Sequence, residues 1–133
     1  MRWRAAVGDE RGSSPVEFVL VGSLLTVLTL AVLQLGLAVY VRNVVHDAAV
    51  EGAHYAALAD TGLDEGAQRT RDSITRAVGA AYAEDIAVVE SDRLGHATAV
   101  VTVRTTLPVI GLLGIPHAME VNADAPLETL GER

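Results

Sequence analysis

The sequence predicts an α+β protein: a long N-terminal transmembrane helix, then a small extracytoplasmic domain with a second helix and a short antiparallel sheet. Three observations predict this fold class. Residues 18–41 contain no side chain that is charged at neutral pH, and residues 63–82 place apolar residues near helical spacing. Residues 86–106 hold two stretches that are rich in Val and Thr, which is typical of strands.

The apolar segment is the first element. Its 24 residues would form a helix about 36 Å long, against a hydrocarbon core of about 30 Å, so it can cross a membrane with modest tilt. A buried soluble helix and a cleaved secretory signal are the alternatives, but the apolar core of a secretory signal is usually about 7–15 residues. Basic residues flank the segment unevenly, with Arg2, Arg4 and Arg11 before it and Arg42 after it. The positive-inside rule therefore predicts a single-pass cell-membrane protein with a cytoplasmic N-terminus.

Small residues follow the apolar segment at four-residue intervals. They are Ala48, Gly52 and Ala56 in one series and Ala49, Ala53 and Ala57 in the other. At helical spacing they form a smooth surface, the helix-packing ridge, which lets another helix approach closely. That second helix can belong to another subunit or to the chain's own domain, and both alternatives stay open.

The remaining elements are shorter. Asp60-Thr61-Gly62 predicts the end of the first helix, and Leu63–Tyr82 predicts an amphipathic helix. Ile86–Glu90 and Ala97–Thr106 are predicted strands, joined by a hairpin loop at Ser91–Gly95.

Side-chain alternation predicts the faces of the second strand, which places Ala99, Val101, Val103 and Thr105 on one side. Leu107–Ile115 is apolar but interrupted by proline and glycine, so we expect a helical turn, or a loop on the sheet or on the bilayer surface. Met119–Ala125 is expected to return as a third strand, ending before Pro126.

Composition argues against several functions. The chain has no cysteine, which excludes disulfides, thiolate metal sites and a cysteine nucleophile. Residues 43–133 carry six arginines and fourteen acidic residues, and this acidic balance repels nucleic-acid phosphates.

The sequence contains no motif of an enzyme's active site, such as G-x-S-x-G, a phosphate loop or H-E-x-x-H. His46 and His54 lie two helical turns apart, whereas a metal site on a helix needs ligands three or four residues apart, and His96 and His117 are expected in solvent. We therefore expect no catalysis, metal, cofactor or small-molecule substrate.

The junction before the apolar segment reads Arg11-Gly12-Ser13-Ser14-Pro15-Val16-Glu17-Phe18. We expect Glu17 in the first turn of the helix, where the macrodipole favours negative charge. The junction resembles the processing site of type IV pilin-like proteins, in which a prepilin peptidase cuts after a glycine and a glutamate is the fifth residue of the mature chain. The resemblance implies a processing site of Gly12, Ser13, Glu17 and Phe18. The alternative is an ordinary helix-start acid after a loop glycine.

Junction and ridge together resemble the TadE family of Tad pilus proteins. Members pair an R-G-x-x-x-V-E-F junction and an apolar helix with an A-A-x-E-G-A-R-x-A-A-like segment, matched here by Ala48–Ala57, with His54 where the family more often has arginine. The resemblance implies a basic cytoplasmic leader (1–12), a transmembrane helix (13–41) and an extracytoplasmic TadE-like α+β domain (42–133), in a pilin-like layout.

The family implies a function as well as a layout. It implies a minor pilin or pseudopilin of a Tad-type (type IVc) pilus assembly and secretion system. Its helix would pack with other pilus subunits in the membrane. Its partners would be other pilins and pseudopilins, Tad assembly platform proteins and a prepilin peptidase. The alternative function is a single-pass membrane-anchored external binding or accessory protein without pilin-type processing.

Overall fold

The computed structural model describes residues 13–93, 95–110 and 113–128. The elements in chain order are α1 (Ser13–Ala57), α2 (Leu63–Ala77), a 3₁₀ turn (Ala80–Tyr82), β1 (Asp85–Arg93), β2 (His96–Ile110) and β3 (Leu113–Pro126). The long N-terminal helix, the second helix and the antiparallel sheet confirm the predicted α+β class.

The chain divides into two units between Leu33 and Gln34, inside α1. The described part of the first unit, residues 13–33, is entirely helical, and its side chains are exposed. The second unit contains the rest of α1 and all the other elements, and we call it the C-terminal unit. The predicted boundary between the transmembrane helix (13–41) and the extracytoplasmic domain (42–133) lies within this unit. That division stays a prediction.

The sheet has the order β1-β2-β3, and both pairs of neighbours are antiparallel. The predicted face of β2 is confirmed, because Ala99, Val101, Val103 and Thr105 are all buried. Alternate residues of β3 extend the same apolar face, namely Met119, Val121, Ala123 and Ala125.

The helices supply the other half of the core. The buried apolar side chains of α1 and α2 that join this cluster are Val41, Val45, Ala48, Ala49, Ala53, Ala56, Ala57 and Ile74. The C-terminal unit is thus a layer of helix on one face of a sheet, the usual way for both elements to bury their apolar sides. After β3 the chain returns to α1, where the Glu128 N–H donates to the Ala57 carbonyl at 2.8 Å.

The predicted helix Leu63–Tyr82 is shorter in the structure. α2 ends at Ala77, and Gly79 has φ 108° and ψ 158°, a conformation that is essentially restricted to glycine. The backbone at Gly79 therefore breaks the helix, and the 3₁₀ turn follows. Tyr82 accepts a hydrogen bond at its carbonyl from the Thr105 hydroxyl at 2.8 Å, which ties this turn to β2.

Two predictions for the strands were wrong. The expected loop Ser91–Gly95 is shorter, because the pairing of β1 with β2 continues to Arg93 and His96, and Gly95 adopts the positive φ that tight hairpin turns require. The segment Leu107–Ile115 is neither a helical turn nor a loop, since its described residues belong to β2 and β3. Register shifts next to Pro108 explain this difference, because a bulge accommodates a residue without an N–H.

Candidate functional site

The junction enters the structure at Ser13, where α1 begins, while Gly12 lies outside the described residues. Glu17 is the fifth residue of α1, and the first turn contains no acidic residue, so the expectation that Glu17 lies in the first turn was wrong. Pro15 lies inside the first turn of α1, where proline is tolerated. Glu17 and Phe18 are both exposed.

The apolar segment of α1 presents large hydrophobic side chains outward along its length. Exposed examples are Val16, Phe18, Leu20, Leu24, Leu28, Val32 and Leu35. Its serine and threonine hydroxyl groups bond within the helix, since Ser23, Thr26 and Thr29 each donate to the carbonyl four residues earlier at 2.7–2.8 Å. Internal satisfaction of polar groups suits a hydrocarbon environment, where water is missing. By length and composition, α1 can cross a membrane.

The helix-packing ridge lies inside the C-terminal unit. All six of its residues are buried, and Gly52 and Ala56 face α2 directly. A methyl group built on Gly52 would lie 2.8 Å from the carbonyl oxygen of Gly66, and one built on Gly66 would lie 2.8 Å from the carbonyl oxygen of Gly52. The two helices therefore meet backbone to backbone at this pair of glycines. These contacts match the alternative in which the ridge packs on its own domain.

A polar clamp holds the same pair of helices beside the glycines. The Glu51 carboxylate accepts from the Arg69 Nε at 2.8 Å and from the Ser73 hydroxyl at 2.8 Å, and Arg69 also forms an ion pair with it at 2.6 Å. The Arg69 guanidinium lies 5.8 Å from the centre of the Tyr55 ring, within the range of a cation–π contact. We call Glu51, Arg69 and Ser73 the α1–α2 clamp.

The clamp changes the acidity of its carboxyl group. The hydrogen bond from Ser73 and then that from Arg69 lower the pKa of Glu51 below its ordinary value of 4.5. Its side chain is 44% exposed and that of Arg69 is 47% exposed, so solvent screens the pair. Exposed ion pairs of this kind contribute about 0–1 kcal/mol, and the clamp therefore serves more to orient α2 than to stabilise it.

Sequence reasoning missed the α2 side of this contact. Gly66, Thr70 and Ile74 are buried and recur every four residues, which is the same signal that identified the ridge on α1. The partners of Glu51 lie 18 and 22 residues further along the chain, and no local spacing indicates that pairing.

The histidines do not converge. His46, His54, His96 and His117 are all exposed, and within the described ranges no group of three His, Cys, Asp or Glu side chains could hold a metal ion. The sheet's outer face carries ion pairs instead, Arg104 with Glu120 at 2.9 Å and Arg93 with Asp124 at 3.3 Å. These side chains are mutually satisfied, and the pairing lowers the pKa of Glu120.

Together, these features define a class, an α+β protein with an N-terminal helix that is long and apolar enough to cross a membrane. The C-terminal part of that helix packs tightly on a second helix. Residues 12–54 match the family described as TadE-like protein, which confirms the resemblance over the junction, the apolar segment and most of the ridge. No curated protein and no solved structure matches the chain. The match suggests a Tad pilus-associated protein, and with the apolar helix it suggests single-pass anchoring in a membrane that also holds pilus components.

Proposed function

We propose that this chain is a minor pilin or pseudopilin-like component of a Tad-type (type IVc) pilus assembly system, acting through helix packing with other pilus subunits in the membrane. The family match carries the proposal, because it extends from Gly12 through the apolar segment to His54. It therefore covers the junction from Gly12 onward, the apolar segment and the start of the α1–α2 contact.

The surface of α1 indicates which residues meet other subunits. The ridge at residues 48–57 is buried within the C-terminal unit, so we assign the packing between subunits to the exposed apolar face of residues 13–33. In the membrane this face contacts lipid until helices of other subunits replace that lipid. Small residues such as Gly22, whose surroundings are open, favour close helix contacts in hydrocarbon.

Glu17 supports pilin-type processing by its charge. Among the described residues it has no ion-pair partner, and a lone carboxylate at the edge of a membrane is costly. A cut after Gly12 would create a new amine at Ser13, four residues from Glu17. This amine, on the same chain or on a neighbouring subunit, would neutralise the carboxylate.

The remaining partners follow from the same proposal. Prepilin peptidase would act at Gly12, and other pilins or Tad assembly platform proteins would receive the processed helix. The positive-inside rule places the N-terminus in the cytoplasm and the C-terminal unit outside it. The proposal assigns no catalytic role and no cofactor to the chain.

The first test is the intact mass and N-terminal sequence of the membrane-extracted protein from cells that contain the peptidase. The proposal expects a chain that begins at Ser13, and a chain that still begins at Met1 would contradict it. Gly12→Ala should reduce cleavage, and Glu17→Ala should impair pilus formation. Gly8→Ala and Glu10→Ala change the same residue types within the leader and should do neither.

A second candidate is a membrane-anchored external binding or accessory protein with a coincidental junction. One observation favours it: the C-terminal unit buries the ridge on its own core and so has the packing of a self-contained domain. This alternative predicts an uncleaved leader. It also predicts that function survives replacement of residues 13–33 by an unrelated transmembrane sequence, whereas the pilin proposal expects that replacement to abolish assembly.

A further inference from the structure

The outer part of the β2–β3 hairpin is free of charge. Between Arg104 and Glu120 the chain has no Asp, Glu, Lys or Arg, and two of its strand residues, Val109 and Ile115, are 41% and 55% exposed. We call the described residues 107–109 and 114–116 the apolar arm. Leu107 is half-buried and Pro108 is buried, so the exposed apolar surface of the arm consists of Val109, Ile115 and Pro116, and its exposure requires an explanation.

Contacts at the two ends of β3 show which way the arm points. Near the strand's C-terminal end, Glu128 bonds to Ala57, the last residue of α1. Further back along the strand, Ala118 and Met119 share a groove of about 370 Å³ with Ala38 and Val39. β3 therefore runs parallel to this part of α1, with its N-terminal end near Ala38 and Val39.

The two segments also agree in length. Ten strand residues cover about 33 Å and nineteen helical residues cover about 29 Å. The arm precedes Ala118 on β3, so it extends beyond Ala38 and Val39 toward Gln34. It therefore lies at the end of the C-terminal unit that carries Gln34.

On α1, β2 and β3, the charged side chains nearest the arm lie at the same level of the C-terminal unit. Arg42 on α1 and Glu120 on β3 line the same groove, and Glu120 bonds to Arg104 on β2 at 2.9 Å. Toward the arm, residues 34–41 of α1 and residues 105–119 of the hairpin contain no Asp, Glu, Lys or Arg. Tyr40 is exposed near this level, and tyrosine is enriched where membrane proteins cross the boundary between water and lipid.

We propose that the apolar arm inserts into the membrane interface beside α1, as a second membrane contact of the C-terminal unit. The level of Arg42, Arg104 and Glu120 then lies among the lipid headgroups. Lipid is the occupant because the arm shares its level with residues 34–41, the part of the apolar segment that belongs to the C-terminal unit, so one apolar layer covers both. The proposal rests on membrane insertion of α1 and not on cleavage after Gly12, so the two can fail separately.

The absence of cysteine makes the test direct. The full-length chain carries a single cysteine, Ile115→Cys, labelled with an environment-sensitive nitrobenzoxadiazole dye and reconstituted into vesicles of phosphatidylcholine and phosphatidylglycerol. The matched control is Val89→Cys, because Val89 is a strand residue with 52% exposure, close to the 55% of Ile115. Through its register with Val100 and Asp124, Val89 lies about 30 Å from Ile115 along the strand direction.

The measurement is quenching by nitroxide-labelled lipid and by iodide present on both sides of the bilayer. We expect nitroxide lipid to quench the dye at Ile115 several-fold more than the dye at Val89, and iodide to show the opposite order. Equal iodide quenching at the two sites would overturn the proposal. A dye at Ile115 that is protected from both quenchers would also overturn it, because protein rather than lipid would then cover the arm. Val109→Cys provides a second site on the arm if the first variant folds poorly, and matching circular dichroism spectra establish folding.

Discussion

Replacing Gly52 with alanine tests the backbone contact between α1 and α2. The added methyl group would lie 2.8 Å from the Gly66 carbonyl oxygen and 3.1 Å from the Thr70 Cβ, and it would also overlap the Thr70 hydroxyl. Contacts below 3.0 Å with backbone cannot be relieved by turning a side chain. The helices must therefore move apart, which also weakens the packing of the buried cluster around them.

The expected magnitude combines two opposing effects. Alanine in place of glycine favours a helix by about 1 kcal/mol. Overpacking of a well-filled contact costs about 1–3 kcal/mol, and sometimes more. Because the contact is between two backbones, we take the upper part of that range, which leaves a net loss of about 1–2 kcal/mol. For a unit of about 100 residues, each kcal/mol corresponds to roughly 4–8 °C in melting temperature.

The assay is urea and thermal unfolding of the detergent-solubilised full chain, followed by near-ultraviolet circular dichroism of the tyrosines. Gly36→Ala is the matched control, because Gly36 lies in the same helix and has no atom within 4 Å of the position of an added methyl group. We expect Gly36→Ala to leave the unfolding transition of the C-terminal unit unchanged or slightly raised.

Two results would refute this reasoning. Gly52→Ala could unfold at or above the wild-type midpoint, which would mean that the helices do not approach as closely as the structure shows. Alternatively, the loss could be independent of Thr70. The overlap with the Thr70 hydroxyl predicts that Gly52→Ala costs less in a Thr70→Ala background than in the wild type, and this coupling is measurable by a double-mutant cycle.

Three further predictions concern the C-terminal unit. Ile74→Ala should cost about 2–5 kcal/mol of unfolding free energy, because Ile74 is fully buried, while Val89→Ala on the exposed face should stay within about 0.5 kcal/mol; urea unfolding compares them. Gly79→Ala should cost about 1–3 kcal/mol in the same assay, since its φ of 108° strains any side chain, and a neutral result would contradict the break between α2 and the 3₁₀ turn. The pKa of Glu51 is lowered, so its stabilising effect is present above the unfolded value of 4.5 and is lost as pH falls through the lower folded value. Urea midpoints should therefore fall more steeply below pH 4.5 in the wild type than in Ser73→Ala, and equal slopes would exclude the hydrogen bond from Ser73 as the main cause.

Local patterns in the sequence determined the elements whose side chains alternate or repeat without interruption. Residues 18–41 indicate a membrane-spanning helix, because the absence of charge over about 36 Å is a property of the segment itself. The buried face of β2 follows from the two-residue period of any strand, and the structure has the same residues in the core. The small residues of the ridge likewise indicated a close helix contact, although not its partner.

Tertiary structure decided the features that depend on residues distant in sequence. Pro108 and Gly114 interrupt the local pattern of the hairpin, but pairing between the two strands extends the sheet past them. The choice between a contact within the unit and one between subunits depended on whether α2 offered a matching surface. Gly66 and Thr70 provide it, and Arg69 and Ser73 bind Glu51 beside it. The sequence determined that α1 could pack closely, and only the folded chain determined what it packs against, because packing partners are set by the geometry of the whole unit and not by the spacing within one helix.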